Sequence, residues 1–126
     1  ILDYQDGGQD KWQKGENKNI LQQRFHVTDP NKVWVSDVTA FKYRDTYYYI
    51  AAIIDLFSRK VIAYKVSKQN STQVVTSVFR AAYHDRSPES GLVFHSDRGA
   101  QYTSLAFSRL THSCKVEQSF SKSRCP

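Results

Sequence analysis

Two aspartates interrupt or end runs of residues that otherwise belong in a β-sheet. Asp37 lies inside Val33-Trp34-Val35-Ser36-Asp37-Val38-Thr39-Ala40-Phe41, whose β-branched and aromatic content predicts a strand. A carboxylate in the middle of such a strand is costly to desolvate unless it is paired or binds a metal. Asp97 follows Leu92-Val93-Phe94 in the stretch His95-Ser96-Asp97-Arg98-Gly99-Ala100-Gln101-Tyr102. That segment reads as a short buried strand ending on a carboxylate. Gly99 then supplies freedom for a sharp turn or for the close approach of something bound. An Asp at a strand end, beside a Gly and a helix start, suits a hard cation or a phosphate, or it simply caps the next helix. Two strand carboxylates that meet in space are what a Mg²⁺ site for phosphoryl transfer requires.

The surrounding elements must bring those two residues together. From Val33 the pattern predicts a strand to about Tyr43, a turn at Arg44-Asp45-Thr46, and a second strand over Tyr47–Ile54. The second strand is continuously apolar, which predicts cover on both faces. Asp55 to Lys60 turns the chain, and Val61–Val66 forms a third strand at the sheet edge. Asn70 is read as the cap of a helix with Gln73 three residues on. The apolar series Val74, Val78, Ala82 and Val75, Phe79, Tyr83 define its buried side. His84 to Gly91 is a loop into the Asp97 strand. Thr103-Ser104 starts another helix through Leu105, Ala106 and Leu110. Lys115–Phe120 is a last short strand, and Ser121–Pro126 a polar loop. Three antiparallel strands followed by alternating helices and strands predict an α/β fold with a mixed five-stranded sheet.

The wording W-V-S-D-V-T followed by H-S-D-R-G-A-Q-Y-T-S resembles the integrase catalytic core of bacterial insertion-sequence transposases, relatives of the retroviral integrases. The resemblance covers roughly residues 19 to 126. It implies a ribonuclease-H-like fold with an Asp, Asp, Glu triad, binding Mg²⁺ or Mn²⁺ and performing DNA strand cleavage and strand transfer. Asp37 and Asp97 match the first two acids and are the expected catalytic and metal residues. The third, a Glu, is expected beyond Pro126. Residues 20 to 126 are therefore read as a catalytic core lacking its C-terminal helix, and residues 1 to 19 as a linker or flexible arm. On this reading the chain alone is expected to be close to inert and to bind duplex DNA weakly. Glu89, Glu117 and Asp55 are the resident acids that could stand in. Glu89 and Glu117 lack the expected helical position, and Asp55, which ends the second strand, reads first as a turn residue capping the following amides.

Other residues are candidate substrate contacts. His95 precedes Asp97 by two, so on a strand both face the same way. It could meet phosphate or a metal-bound water, or bond a backbone carbonyl. Arg98, Gln101, Lys122 and Arg124 could reach substrate, as could the loop cations Arg59 and Lys60; Tyr102 is open between core and substrate. His112, Cys114 and Cys125 have no zinc spacing.

Composition bounds the function class. The chain has 126 residues, a net charge of +6 and 24% charged residues. One domain with its own core is expected, with a polyanionic partner. DNA, as transposon ends and target, is the partner that the resemblance implies, with a homodimer or higher oligomer left open. No apolar run reaches the ~20 residues of a membrane span. Two cysteines make no disulfide framework, so a cytoplasmic, nucleoid-associated setting is expected. There is no Met in the chain, which reads as a piece of a longer polypeptide. A ribonuclease-H-type nuclease and a catalytically silent basic DNA-binding or dimerisation module are the alternative functions.

Overall fold

The computed structural model describes residues 27–121. The expected arm at 1–19 and the terminal residues Lys122 and Arg124 lie outside the described residues. Strands β1 (Val33–Tyr43), β2 (Thr46–Asp55) and β3 (Lys60–Ser67) come first. Helix α1 (Thr72–Arg86), strand β4 (Val93–Ser96), the single turn α2 (Ala100–Thr103), helix α3 (Leu105–Ser113) and strand β5 (Glu117–Phe120) follow. The strands form one mixed sheet in the order β3-β2-β1-β4-β5. The first three are antiparallel neighbours, and β4 runs parallel to both β1 and β5. This is the α/β sheet that the order of elements predicts.

The β1–β2 connection is a two-residue turn in which Arg44 and Asp45 both have positive φ, 50° and 66°. Two left-handed residues give the twist that joins antiparallel strands without splaying them. β1 outruns β4. Only Val33, Trp34 and Val35 pair with β4, so the outer half of the β1–β2 hairpin extends past that side of the sheet.

The helices pack on one face. Phe79 of α1 meets the rings of Trp34, Phe94 and Phe107 with centroids 5.5–6.4 Å apart, near edge to face. Such pairs add about 0.5–1.5 kcal/mol beyond the area they bury. Val74, Val75, Val78, Phe79 and Ala82 are the buried residues of α1, as the i, i+4 series predicts. Its cap differs from the expectation. Ser71, not Asn70, occupies the N-cap position, and its side chain makes no capping bond. The helix is held by its apolar stripe rather than by its start. The β2 expectation also needs correction. Ala51, Ile53 and Asp55 are buried while the intervening Ile50, Ala52 and Ile54 are only half-buried, so among the described residues one face is the well-covered one. β4 and α3 follow the sequence reading, and Ser104 caps α3 by accepting from the Phe107 N–H at 3.2 Å.

At the end of the sheet where β1 begins, buried Asp55 joins three elements. Its carboxylate accepts from the backbone N–H groups of Asn31 and Phe57 at 3.3–3.4 Å. It also faces Arg86, in the last turn of α1, at 3.9 Å. Arg86 in turn donates to Asn31 Oδ1, which accepts from the Trp34 indole as well.

Candidate metal and nucleic-acid site

β1 and β4 are separated in sequence by two strands and a helix, yet they lie side by side. Their parallel register pairs Val35 with His95. Two residues further on in each chain stand Asp37 and Asp97. The β1–β4 ladder itself ends at Val35 and His95, so both aspartates lie just beyond it, at the same end of the sheet. Asp37 is half-buried within β1, and Asp97 is exposed just past the end of β4.

Local bonds orient each carboxylate. Asp37 Oδ1 accepts from the Val38 N–H at 2.9 Å. Asp97 Oδ1 accepts from the Gly99 N–H at 2.8 Å. Gly99 itself has an ordinary extended backbone, φ −60° and ψ 152°, so the turn does not demand glycine. Close approach favours it. A Cβ there would lie 3.0 Å from Asp97 Oδ1 and 2.9 Å from Gln101 Oε1, inside normal contact distance.

The residue that ties the two strands together is Tyr102, on α2. Its ring is fully buried against Phe94 and Phe107. Its hydroxyl shares a 2.8 Å hydrogen bond with Ser36, which donates in turn to the Ala52 carbonyl at 3.0 Å. Gln118 of β5 donates to the Tyr102 carbonyl at 2.9 Å. Burial pushes the phenol far above its ordinary range. The Ser36 bond opposes that rise, and the negative fields of both Asp37 and Asp97 reinforce it. The sequence left Tyr102 between core and substrate, and it is core. Its bond to Ser36 joins residues whose proximity no local pattern announces.

The remaining candidates divide. His95 is buried, and its Nδ1 lies 2.9 Å from Ser119 Oγ on β5. Arg98 is exposed, with its guanidinium over the Phe120 ring at 5.7 Å. Gln101 is half-buried in α2, beside Gly99. Arg59 and Lys60 lie at the opposite end of the sheet, in the β2–β3 turn and at the first residue of β3. So do the candidate third acids. Asp55 caps the turn after β2 by accepting from Phe57 N–H. Exposed Glu89 pairs with Lys32 at 3.5 Å. Glu117 is in register with Val93, about 13 Å along the strand from Asp97 at ~3.3 Å per residue. Among the described residues no group of three or more His, Cys, Asp or Glu side chains is gathered as a metal cage. Asp37 and Asp97 are a pair of hard oxygen donors of the kind that suits Mg²⁺ or Mn²⁺ with water completing the shell.

A β1–β2–β3 meander followed by parallel β4 and β5, with an aspartate within β1 and another just past the end of β4, suggests a class, and the sequence profile agrees. The profile of the integrase core domain matches residues 27–126, and the chain belongs to that family. It is 33% identical over 108 residues to the transposase for insertion sequence element IS904 of Lactococcus lactis, covering 86% of this chain and 43% of that protein. It is 32% identical over 91 residues to transposase InsF for insertion sequence IS3A of Escherichia coli, covering 72% of this chain and 32% of that protein. The chain thus spans less than half the length of these relatives. The HTLV-2 integrase catalytic core domain, solved in complex with magnesium, superposes with a TM-score of 0.66 and 26% identity over 73% of this chain and 60% of that one. The integrase core shares the ribonuclease-H-like fold that the sequence resemblance implies.

Proposed function

We propose that the chain is catalytic core of a DNA transposase, in which Asp37 and Asp97 hold a divalent metal at which a DNA phosphodiester is cut and rejoined. The observation that supports the reading is the parallel β1–β4 register, which pairs Val35 with His95, each two residues before an aspartate, in a chain of the integrase core family. Bound Mg²⁺ or Mn²⁺ would supply Lewis-acid stabilisation of the phosphoryl oxygens and a more acidic attacking water or hydroxyl. The chain's own residues do the rest. Asp37 and Asp97 offer oxygen donors. The Gly99 N–H bond fixes the rotation of the Asp97 carboxylate, and the Ser36–Tyr102 bond holds β1 against α2. Exposed Arg98, next to Asp97, presents a cation to an incoming phosphate. DNA ends and target DNA are the substrates of this reading, and more than one copy of the chain takes part in the assembly.

The test is Mn²⁺ binding together with cleavage and strand transfer on labelled DNA, for the wild-type chain and for Asp37→Asn and Asp97→Asn. Each variant is expected to weaken Mn²⁺ binding and to lower any cleavage about 10²-fold or more. Cleavage that survives both substitutions would remove the site assignment. Cutting of RNA–DNA hybrid but not of DNA would turn the reading to a ribonuclease-H-type nuclease. DNA binding with no uptake of Mn²⁺ would leave a silent basic module.

A further inference from the structure

The charges of the described residues are not evenly spread between the two ends of the sheet. At the end where β1 starts, Lys32, Arg59, Lys60, Arg86 and Lys115 are matched by Asp29, Asp55, Asp85, Glu89 and Glu117. At the end that carries Asp37 and Asp97 the balance differs. Lys42, Arg44, Lys65, Lys68 and Arg98 stand there with Asp45 as the one acid besides the two site aspartates, among the described residues. The outer half of the β1–β2 hairpin is the part of that end that reaches furthest. Its residues from Thr39 to Asp45 are all exposed, and beyond Val35 β1 pairs with β2 but not with β4. Tyr43 and Tyr47 are 55% and 58% exposed, far more than large aromatic residues need to be. Each is partnered by a cation. The Arg44 guanidinium lies 5.2 Å from the Tyr43 ring and the Lys42 ammonium 5.8 Å from the Tyr47 ring. Lys, Arg and Tyr are side chains that contact phosphate oxygens of duplex DNA. Stacking on a ring restrains the long cationic side chains before any ligand arrives.

We infer that the tip of the β1–β2 hairpin, through Lys42, Tyr43, Arg44 and Tyr47, is an arm that grips the backbone of duplex DNA away from the phosphate lying at Asp37 and Asp97. From Asp37 to Tyr43 the strand rises about 20 Å at ~3.4 Å per residue. That is the length of about six base pairs, so the arm meets the duplex roughly half a helical turn from the site. This inference rests on the reading of the chain as a DNA-processing core, and its test separates the two.

The measurement is anisotropy of a labelled duplex of about 30 base pairs, titrated with the chain over a series of salt concentrations. The charge-reversal pair Lys42→Glu/Arg44→Glu is compared with Lys60→Glu/Lys115→Glu at the opposite end. Loss of two phosphate contacts is expected to lower the slope of log affinity against log salt by about 2. A fall in affinity of at least tenfold near 0.1 M salt should accompany it, with less than a twofold change in the opposite-end pair. The milder Lys42→Gln/Arg44→Gln pair, with circular dichroism of every variant, guards against misfolding and should show a smaller loss in the same direction. Mn²⁺ binding should be unchanged in all of them. Equal affinity in the hairpin variants and the wild type overturns the arm while leaving the core reading intact. Equal loss in both reversed pairs also overturns it, because then only overall charge matters. No DNA binding by the wild type defeats the core reading and the arm with it.

Discussion

The Tyr102 hydroxyl is bonded to Ser36 of β1 and lies in the negative fields of Asp37 and Asp97. Its acidity yields a prediction with a definite sign. Folding raises the phenol's pKa above its ordinary value of 10.0, so the folded state keeps a proton that the unfolded chain gives up. The stability this represents is fully present below pH 10 and is lost as pH rises beyond it, at up to about 1.4 kcal/mol per pH unit. Tyr102→Phe should lower stability at pH 7 by about 1 kcal/mol through the lost hydrogen bond, and should make the fall above pH 10 shallower by one proton. Urea unfolding at pH 7 and at steps above pH 10 measures both effects. Gly99 carries the second prediction at this scale. A methyl group there must displace Asp97 Oδ1 or Gln101, and both are movable side chains, so Gly99→Ala should fold normally. Its Mn²⁺ affinity should nevertheless fall several-fold, read by electron paramagnetic resonance of free Mn²⁺. An unchanged affinity would mean that the Asp97 rotamer fixed by the Gly99 N–H does not matter to the ion.

Helix α1 and the strands beneath it show which elements a sequence exposes and which it hides. The apolar series through Val74, Val75, Val78, Phe79 and Ala82 was readable because a helix buries residues at a fixed spacing. Its cap was misread by one position, since Asn70 and Ser71 are both good cap residues and only packing chooses between them. The hairpin was readable to within a residue, although the Arg44-Asp45 turn uses two left-handed residues and no glycine. Asp55 was legible as a turn cap but not as the anchor of Arg86, which comes from the helix beyond the next strand in sequence. That anchor carries a prediction. Arg86→Met should leave a fully buried carboxylate held only by backbone donors, and lower stability by roughly 2–3 kcal/mol. Thermal unfolding near pH 7 checks it, and a shift of less than 1 °C would show that Asn31 and Phe57 suffice.

At the scale of the molecule, the two site aspartates were visible one at a time as acids in apolar runs. That both lie toward one end of the sheet was not visible from either run, because it depends on β4 adding in parallel to β1 after the chain has made β2, β3 and α1. The same is true of Ser36 and Tyr102. The one-sided charge at that end of the sheet likewise needs the strand directions before it can be seen, since the net charge of +6 is a sum over the chain. This topology also sets an order in time. β1 finds β2 across a two-residue turn, whereas the β1–β4 ladder must close a long loop, and loop closure of that kind comes late in folding. During synthesis the hairpin with its cations therefore forms while the Asp97 strand is still unmade or undocked. On the proposed reading, a half-made chain would cling to DNA before it has anything with which to cut it.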